Sequence, residues 1–173
     1  MRSEEASFVE LRLADARGGG WPSARLYALL DPLLPAHEGL APMLERGEGK
    51  LALFDRTVDA EVAEGGPWLV ELAAAGPELA SGLLALGRAP QGVVWMISER
   101  DPPGLAQALR ESLNVRLRGI GVALLRFYDP TLLQGILALL SPSQRASFVA
   151  PALQWLVERD GQLVQLSPEK LHA

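Results

Sequence analysis

The sequence predicts a single α/β (or α+β) domain in which helices flank one central mixed β-sheet. Short apolar runs alternate with helix-like segments along the chain, and glycine and proline separate them. One pair of apolar runs is arranged as a hairpin, which makes neighbouring strands antiparallel. The remaining strands are joined through helical segments. Together these patterns indicate a mixed sheet.

The length and composition fit one domain. The chain has 173 residues, of which 49% are hydrophobic and 21% charged. A domain of this length buries about 70% of the surface of its unfolded chain, so it needs no metal or disulfide to fold. The glycine run 18–20 is too short to separate domains, and the sequence has no internal repeat. We therefore expect residues 1–173 to form one domain.

Charge and cysteine content narrow the classes of partner. The chain carries 16 Lys and Arg against 21 Asp and Glu, a net charge of −5, whereas binding to a nucleic-acid backbone needs a basic face. It has no cysteine, which excludes disulfides, thiolate zinc sites and cysteine nucleophiles. The longest apolar runs, 120–125 and 136–140, are far shorter than the roughly 20 residues that span a bilayer. We expect a cytoplasmic protein with no nucleic-acid partner and no membrane insertion.

The first half of the chain is predicted to alternate between strands and helices. Residues 4–16 fit a helix capped by Ser3 and a strand about equally, and we favour the helix. The predicted strands of this half are 24–31, 50–54 and 68–72. The predicted helices are 35–46, which Gly47 ends, and 77–86, which begins with proline and is followed by glycine.

The second half begins with the clearest buried strand, 93–98. Asp101-Pro102 opens a helix that continues to Leu113. Residues 115–117 and 122–128 flank a glycine-rich turn and are predicted to pair as the hairpin.

Three further elements complete the predicted chain. Asp129-Pro130 opens a helix, and Ser141-Pro142-Ser143-Gln144 opens another with a capping-box pattern. This second helix is predicted to run to about Glu158. Asp160-Gly161 then turns into a last strand, 162–166.

Histidines and carboxylates are the residues on which catalysis could depend. His37 and His172 are too few for a histidine metal site, and His172 lies beside the chain end. Four carboxylates follow or end predicted strands, where α/β enzymes often place catalytic groups: Asp31, Glu71, Asp101 and Asp129. Because the three aspartates precede proline, helix capping is the favoured interpretation. We expect no catalytic residue, no metal and no cofactor.

The four tryptophans are the largest apolar anchors. Trp95 lies in the clearest strand and is predicted to be in the core, whereas Trp21 follows a glycine loop and is predicted to be exposed. For Trp68 and Trp155 the core is favoured. The alternative is an interface, where aromatic anchors are enriched.

Several blocks, in order, resemble a known family. The blocks are 26–31 (Leu-Tyr-Ala-Leu-Leu-Asp), 53–55, 66–72, 92–97, 125–130 (Leu-Arg-Phe-Tyr-Asp-Pro) and 140–145. Over about residues 20–160 the chain is similar to the adaptor, or chaperone, family of bacterial type VI secretion. The Arg-Phe-Tyr-Asp-Pro block is the most specific element, and the Tyr-Ala-Leu-Leu-Asp block is the second.

The resemblance implies a non-catalytic cytoplasmic protein that binds a toxic effector and helps to load it onto the spike protein of the secretion machine. Many relatives carry an additional C-terminal helical lobe, which we do not expect here. Relatives often have a small residue after the aspartate of the Tyr-Ala-Leu-Leu-Asp block, where this chain has Pro32. The residues expected to bind a partner are Arg126, Tyr128, Asp129, Tyr27, Asp31 and Trp68.

The most specific block has a simple physical interpretation. On a strand, Arg126 and Tyr128 would point to one face and Phe127 to the other, into the core. Arginine and tyrosine are enriched at protein interfaces, so the first face would bind the partner. Asp129 would cap the next helix and could pair with Arg126. The alternative is that Arg126, Tyr128 and Asp129 form a purely structural network.

Two other functions fit the same sequence. An enzyme could use Asp31, Glu71 or Asp129 in a cleft at the strand ends, and it would show convergent carboxylates there. An immunity protein would also be small and acidic, and it would abolish the activity of the toxin that it binds.

Overall fold

A six-stranded antiparallel sheet forms the centre of a single α/β domain. The computed structural model describes residues 7–89 and 92–166. The strands of the sheet are β1 (Arg25–Leu30), β2 (Lys50–Ala52), β3 (Trp68–Glu71), β4 (Val94–Ser98), β7 (Gln154–Arg159) and β8 (Gln162–Leu166). Their order across the sheet is β2-β3-β1-β4-β7-β8. The α/β fold class is confirmed, and so are five of the six strands, with ends that differ by up to two residues. The sixth, β7, lies where a helix was predicted.

The prediction that the sheet is mixed is wrong, because each strand pair in it is antiparallel. β3 and β4 both pair with β1 and run antiparallel to it, so they run parallel to each other. A helical segment connects them, as the sequence suggested. Since β1 lies between them, they form no parallel ladder.

The predicted hairpin is present but does not join this sheet. β5 (Asn114–Leu117) and β6 (Gly121–Leu124) form a separate two-stranded sheet. We call this hairpin, residues 114–124, the ribbon. The ribbon packs on the domain with one face and leaves the other open, as described below.

Three of the five α-helices that the structure describes begin at the capping residues predicted from the sequence. The five helices are α1 (Phe8–Gly18), α2 (Pro77–Leu86), α3 (Pro102–Arg110), α4 (Pro130–Leu139) and α5 (Pro142–Val149). Asp101 and Asp129 cap α3 and α4, and Ser141 with Gln144 forms the predicted capping box of α5. The N-terminal helix is confirmed, but Ser7 caps it through a capping box with Glu10; Ser3 lies outside the described residues.

Two predicted helices have different bounds. Residues 35–46 form two short 3-10 turns, Pro35–His37 and Ala41–Met43, instead of one helix. Pro42 has no N–H to continue a helical ladder, and Gly39 favours an irregular backbone.

The last helix, α5, ends at Val149 and not near Glu158. Pro151 cannot continue its ladder. The apolar residues that follow pair with β4 as strand β7.

The core lies on the sheet and contains three of the tryptophans. Trp68, Trp95 and Trp155 are buried, which confirms their core placement, and Trp21 is 45% exposed as predicted. No described helix is long and apolar enough to cross a membrane.

A substitution at Gly87 tests the packing of this core. A Cβ atom at Gly87 would lie 2.5 Å from Nε1 of the buried Trp95. Because overpacking a core commonly costs about 1–3 kcal/mol, we expect Gly87→Ala to lower the free energy of unfolding by that amount in urea titrations. Gly135→Ala, inside α4 with open space around its Cβ, is the control and should stabilise the protein by about 0.5–1 kcal/mol. Equal effects of the two substitutions would contradict this packing.

Candidate functional site

An ion-pair cluster joins the two most specific sequence blocks. Nη2 of Arg126 lies 3.0 Å from Oδ2 of Asp31 and 3.8 Å from Oδ2 of Asp129. Asp31 follows strand β1, whereas Arg126 and Asp129 lie between the ribbon and α4. The two carboxylate side chains are 5% and 9% exposed, and the arginine side chain is 45% exposed. We call these three residues the Arg126 cluster.

Each carboxylate of this cluster also orders the backbone. Oδ1 of Asp31 accepts a hydrogen bond of 3.1 Å from the N–H of Leu33, which fixes the turn after β1. Oδ1 of Asp129 accepts a 2.9 Å bond from the N–H of Thr131 and caps α4. The cluster therefore ties the end of β1 to the start of α4. The predicted pairing of Asp129 with Arg126 is confirmed, and Asp31 is a second partner.

Residues 125–128 do not continue the strand, so the predicted division into two strand faces is wrong. β6 ends at Leu124, and the N–H of Asp129 donates to the carbonyl of Arg126 across a turn. The turn still directs Phe127 into the core, where it is completely buried as predicted. Tyr128 is buried as well, with 4% exposure.

Phe127 lies at the centre of an aromatic group. Its ring centroid is 5.4 Å from that of Phe148, 5.9 Å from that of Tyr128 and 6.3 Å from that of Trp155, each in edge-to-face geometry. Such pairs stabilise a fold beyond the area that they bury. The group joins the turn after the ribbon to α5 and β7.

Tyr27 and Trp68 donate their side-chain hydrogen bonds to residues outside the Arg126 cluster. Tyr27 is completely buried in β1, and its hydroxyl donates a 2.6 Å hydrogen bond to the carbonyl of Arg100. Nε1 of Trp68 donates to the carbonyl of Glu64 at 3.2 Å, and the guanidinium of Arg46 covers its ring at 5.8 Å. Of the predicted partner-binding residues, three form the Arg126 cluster, Tyr128 belongs to the aromatic group around Phe127, and Tyr27 and Trp68 occupy two separate core positions.

Five of the six predicted partner-binding side chains belong to buried residues, and Arg126 is the one with a large exposed fraction. As they stand, Tyr27, Asp31, Trp68, Tyr128 and Asp129 offer little surface to a partner. The contacts of Arg126, Tyr128 and Asp129 fit the structural network that the sequence left open as an alternative for these three residues. That these residues bind a partner stays a prediction.

The carboxylates that an enzyme could use are engaged in structural contacts. Oε1 of Glu71 lies 3.2 Å from Nη1 of Arg25, and Oδ1 of Asp101 accepts a 2.9 Å hydrogen bond from the N–H of Gly104. Two grooves of about 510 and 790 Å³ lie between elements of the fold, and neither is lined by Asp31, Glu71 or Asp129. Among the described residues, no group of histidines and carboxylates is placed to hold a metal ion.

His37 has a structural environment. It is buried, with Nδ1 2.7 Å from the carbonyl oxygen of Asp31 and Nε2 2.6 Å from that of Gly92. The imidazole therefore bridges the turn after β1 and the chain that enters β4.

The ribbon carries three exposed apolar residues that were not among the binding residues predicted from the sequence. Ile120, Val122 and Leu124 are 80%, 65% and 41% exposed. Their spacing of two was visible in the sequence. The sequence places Ile120 in the turn of the hairpin, and it places Val122 and Leu124 in a strand of the central sheet, where such residues would be covered.

Both tyrosines should resist deprotonation in the folded protein. The chain has two, and burial raises the pKa of Tyr27 and of Tyr128 above the ordinary value near 10. The folded state therefore binds these protons more tightly, so this contribution to stability is present below pH 10 and is lost as pH rises above it. We expect tyrosinate absorbance to appear together with unfolding above pH 10. The chain unfolded in urea should titrate near 10; a folded protein that does the same would contradict the burial.

A protein-family model matches the larger part of the chain. The family model described as "Domain of unknown function (DUF4123)" matches residues 26–147. The matched span contains both blocks that the Arg126 cluster joins. No curated protein and no solved structure matches the chain.

Proposed function

The chain belongs to the family described as "Domain of unknown function (DUF4123)", and from this premise we propose that it is an adaptor of type VI secretion. It binds a toxic effector in the cytoplasm and helps to deliver it to the spike protein. It acts as a protein–protein interaction module and catalyses no reaction.

The observation that carries this proposal is the relation between the two sequence blocks. Residues 26–31 and 125–130 resemble the adaptor family, and both lie inside the matched span. In the fold they meet through the 3.0 Å ion pair of Asp31 with Arg126, although 95 positions separate these residues. The blocks that define the resemblance therefore form one structural unit, as expected for a shared framework.

The engaged carboxylates also favour a binding module over an enzyme. Asp31 and Asp129 hold Arg126 and backbone N–H groups, and Glu71 pairs with Arg25. Groups held in this way support a rigid scaffold. A scaffold that presents surface residues is what an adaptor requires.

The test is recovery of the partner from the bacterium that makes the protein. The tagged full-length chain is purified while secretion is active, and the proteins that accompany it are identified by mass spectrometry. We expect a large toxin-like protein, with or without the spike protein. Recovery of nothing above background would contradict the proposal.

The same complex distinguishes an adaptor from an immunity protein. The activity of the recovered toxin is measured alone and with excess chain. An adaptor leaves the activity largely intact, whereas its loss at stoichiometric chain would identify an inhibitor and overturn the proposal.

A further inference from the structure

The ribbon has one face without a cover among the described residues. Cα partners across an antiparallel pair direct their side chains to the same face. Val122 lies opposite Arg116, and Leu124 lies opposite Asn114, so these four side chains share one face. All four are exposed, whereas Val115 and Ala123 on the other face are half-buried. The ribbon therefore packs on the domain with one face and presents the other.

Apolar and positively charged side chains lie on opposite sides of the open face. The β6 side is apolar, with Val122 65% and Leu124 41% exposed, and Ile120, which is 80% exposed, lies in the adjoining turn. The β5 side carries Arg116, and Arg118 lies exposed in the turn. Isolated exposed apolar residues are common, whereas apolar side chains grouped on a surface are typical of interaction sites.

The charge of this segment is opposite to that of the whole chain. The ribbon, residues 114–124, contains two arginines, Arg116 and Arg118, and no aspartate or glutamate, within a chain of net charge −5. Arg116 and Arg118 make no ion pair within the part of the chain that the structure describes. The ribbon is thus a local cationic surface whose charges are available to a partner.

From this division we propose that the open face of the ribbon binds an acidic amphipathic helix of the effector. The inference rests on the proposed function, because the effector supplies the helix. An apolar stripe of the helix would cover Ile120, Val122 and Leu124, and carboxylates along its flank would pair with Arg116 and Arg118.

The geometry favours a helix over an added strand. A helix is about 10 Å across with its side chains, so it covers both strands of a ribbon whose strands lie about 4.8 Å apart. A strand added at the β6 edge would reach the apolar row but would lie two strand spacings from Arg116. The four residues of β6 span about 13 Å, which corresponds to about nine helical residues.

The test uses two fluorescein-labelled peptides and the full-length protein. One peptide is an 18-residue helix (about five turns) with a leucine stripe flanked by glutamates, and the other has lysine at each glutamate position. Fluorescence anisotropy gives the dissociation constants. We expect the protein to bind the acidic peptide at least about tenfold more tightly than the basic one, with the difference reduced by added salt.

Matched variants locate the binding face. Arg116→Glu and Val122→Ser should each weaken binding of the acidic peptide by about tenfold or more. Arg88→Glu changes an exposed arginine outside the ribbon, and Val62→Ser changes a valine that is 60% exposed, close to the 65% of Val122; both controls should bind as the wild type does. Equal affinity for the two peptides, or equal losses in ribbon and control variants, would overturn the proposal.

Two further readouts separate this inference from its alternatives. If the effector is recovered equally by wild type and by the Arg116→Glu and Val122→Ser variants, the proposed function stands and the ribbon is not the binding face. If light scattering shows a dimer that Val122→Ser abolishes, a second copy of the chain covers the ribbon and the helix proposal is wrong.

Discussion

Phe127→Ala is expected to lower the free energy of unfolding by about 3–5 kcal/mol, the range observed when buried aromatic side chains are truncated in well-packed cores. Phe127 is completely buried and contacts the rings of Phe148, Tyr128 and Trp155. Since small domains are stable by about 5–15 kcal/mol in total, this loss is a large part of the stability. Urea titration followed by tryptophan fluorescence measures it.

Two variants keep this prediction testable. Phe127→Leu retains much of the volume and should cost clearly less than alanine, so it gives a measurable value if the alanine variant does not fold. Trp21→Ala removes a larger aromatic side chain that is 45% exposed, and we expect it to cost well below the Phe127→Ala value. A loss below about 1 kcal/mol for Phe127→Ala would contradict the aromatic group described above.

Arg126→Ala has the second largest expected effect: we expect it to lower the free energy of unfolding by about 2–3 kcal/mol. It leaves the carboxylate of Asp31, whose side chain is 5% exposed, without its charged partner. Removing one member of a buried pair costs about 3–5 kcal/mol. The estimate is lower here because the arginine side chain is 45% exposed and solvent screens it.

A double-mutant cycle isolates the ion pair. Asp31→Asn keeps an oxygen that can accept the N–H of Leu33 but removes the charge that faces Arg126. In that background Arg126→Ala should cost less than in the wild type, with a coupling energy of about 1–2 kcal/mol. Additive losses would mean that the two side chains do not interact, and the link between the two blocks would be lost.

Local signals predicted the elements whose causes are local. The strand around Leu26–Leu30 and the helices that follow Asp101, Asp129 and Ser141 were all found, because apolar runs and caps act within a few residues. The prediction of a helix over 35–46 was wrong. It followed the apolar spacing of this segment and did not take account of Pro42, which interrupts a helix because it has no N–H.

Pairings over long distances could not be predicted. Asp31 and Arg126 are 95 positions apart, and no local pattern in either block indicates that the two residues form an ion pair. The same limit explains the ribbon: its strands were predicted, but sheet membership depends on which edges remain free after the fold forms. The strand pattern predicted that Tyr27 and Trp68 are buried. It could not predict that their polar atoms donate hydrogen bonds to the carbonyls of Arg100 and Glu64.

The central claim is that this protein loads an effector for secretion, and the most direct measurement is effector secretion by a strain that lacks the chain. Effector and spike protein are quantified in the culture medium of the deletion strain, the wild type and the complemented strain. The account predicts that the effector disappears from the medium of the deletion strain while the spike protein is still secreted, and that the wild-type chain restores it. Unchanged effector secretion in the deletion strain would contradict the account.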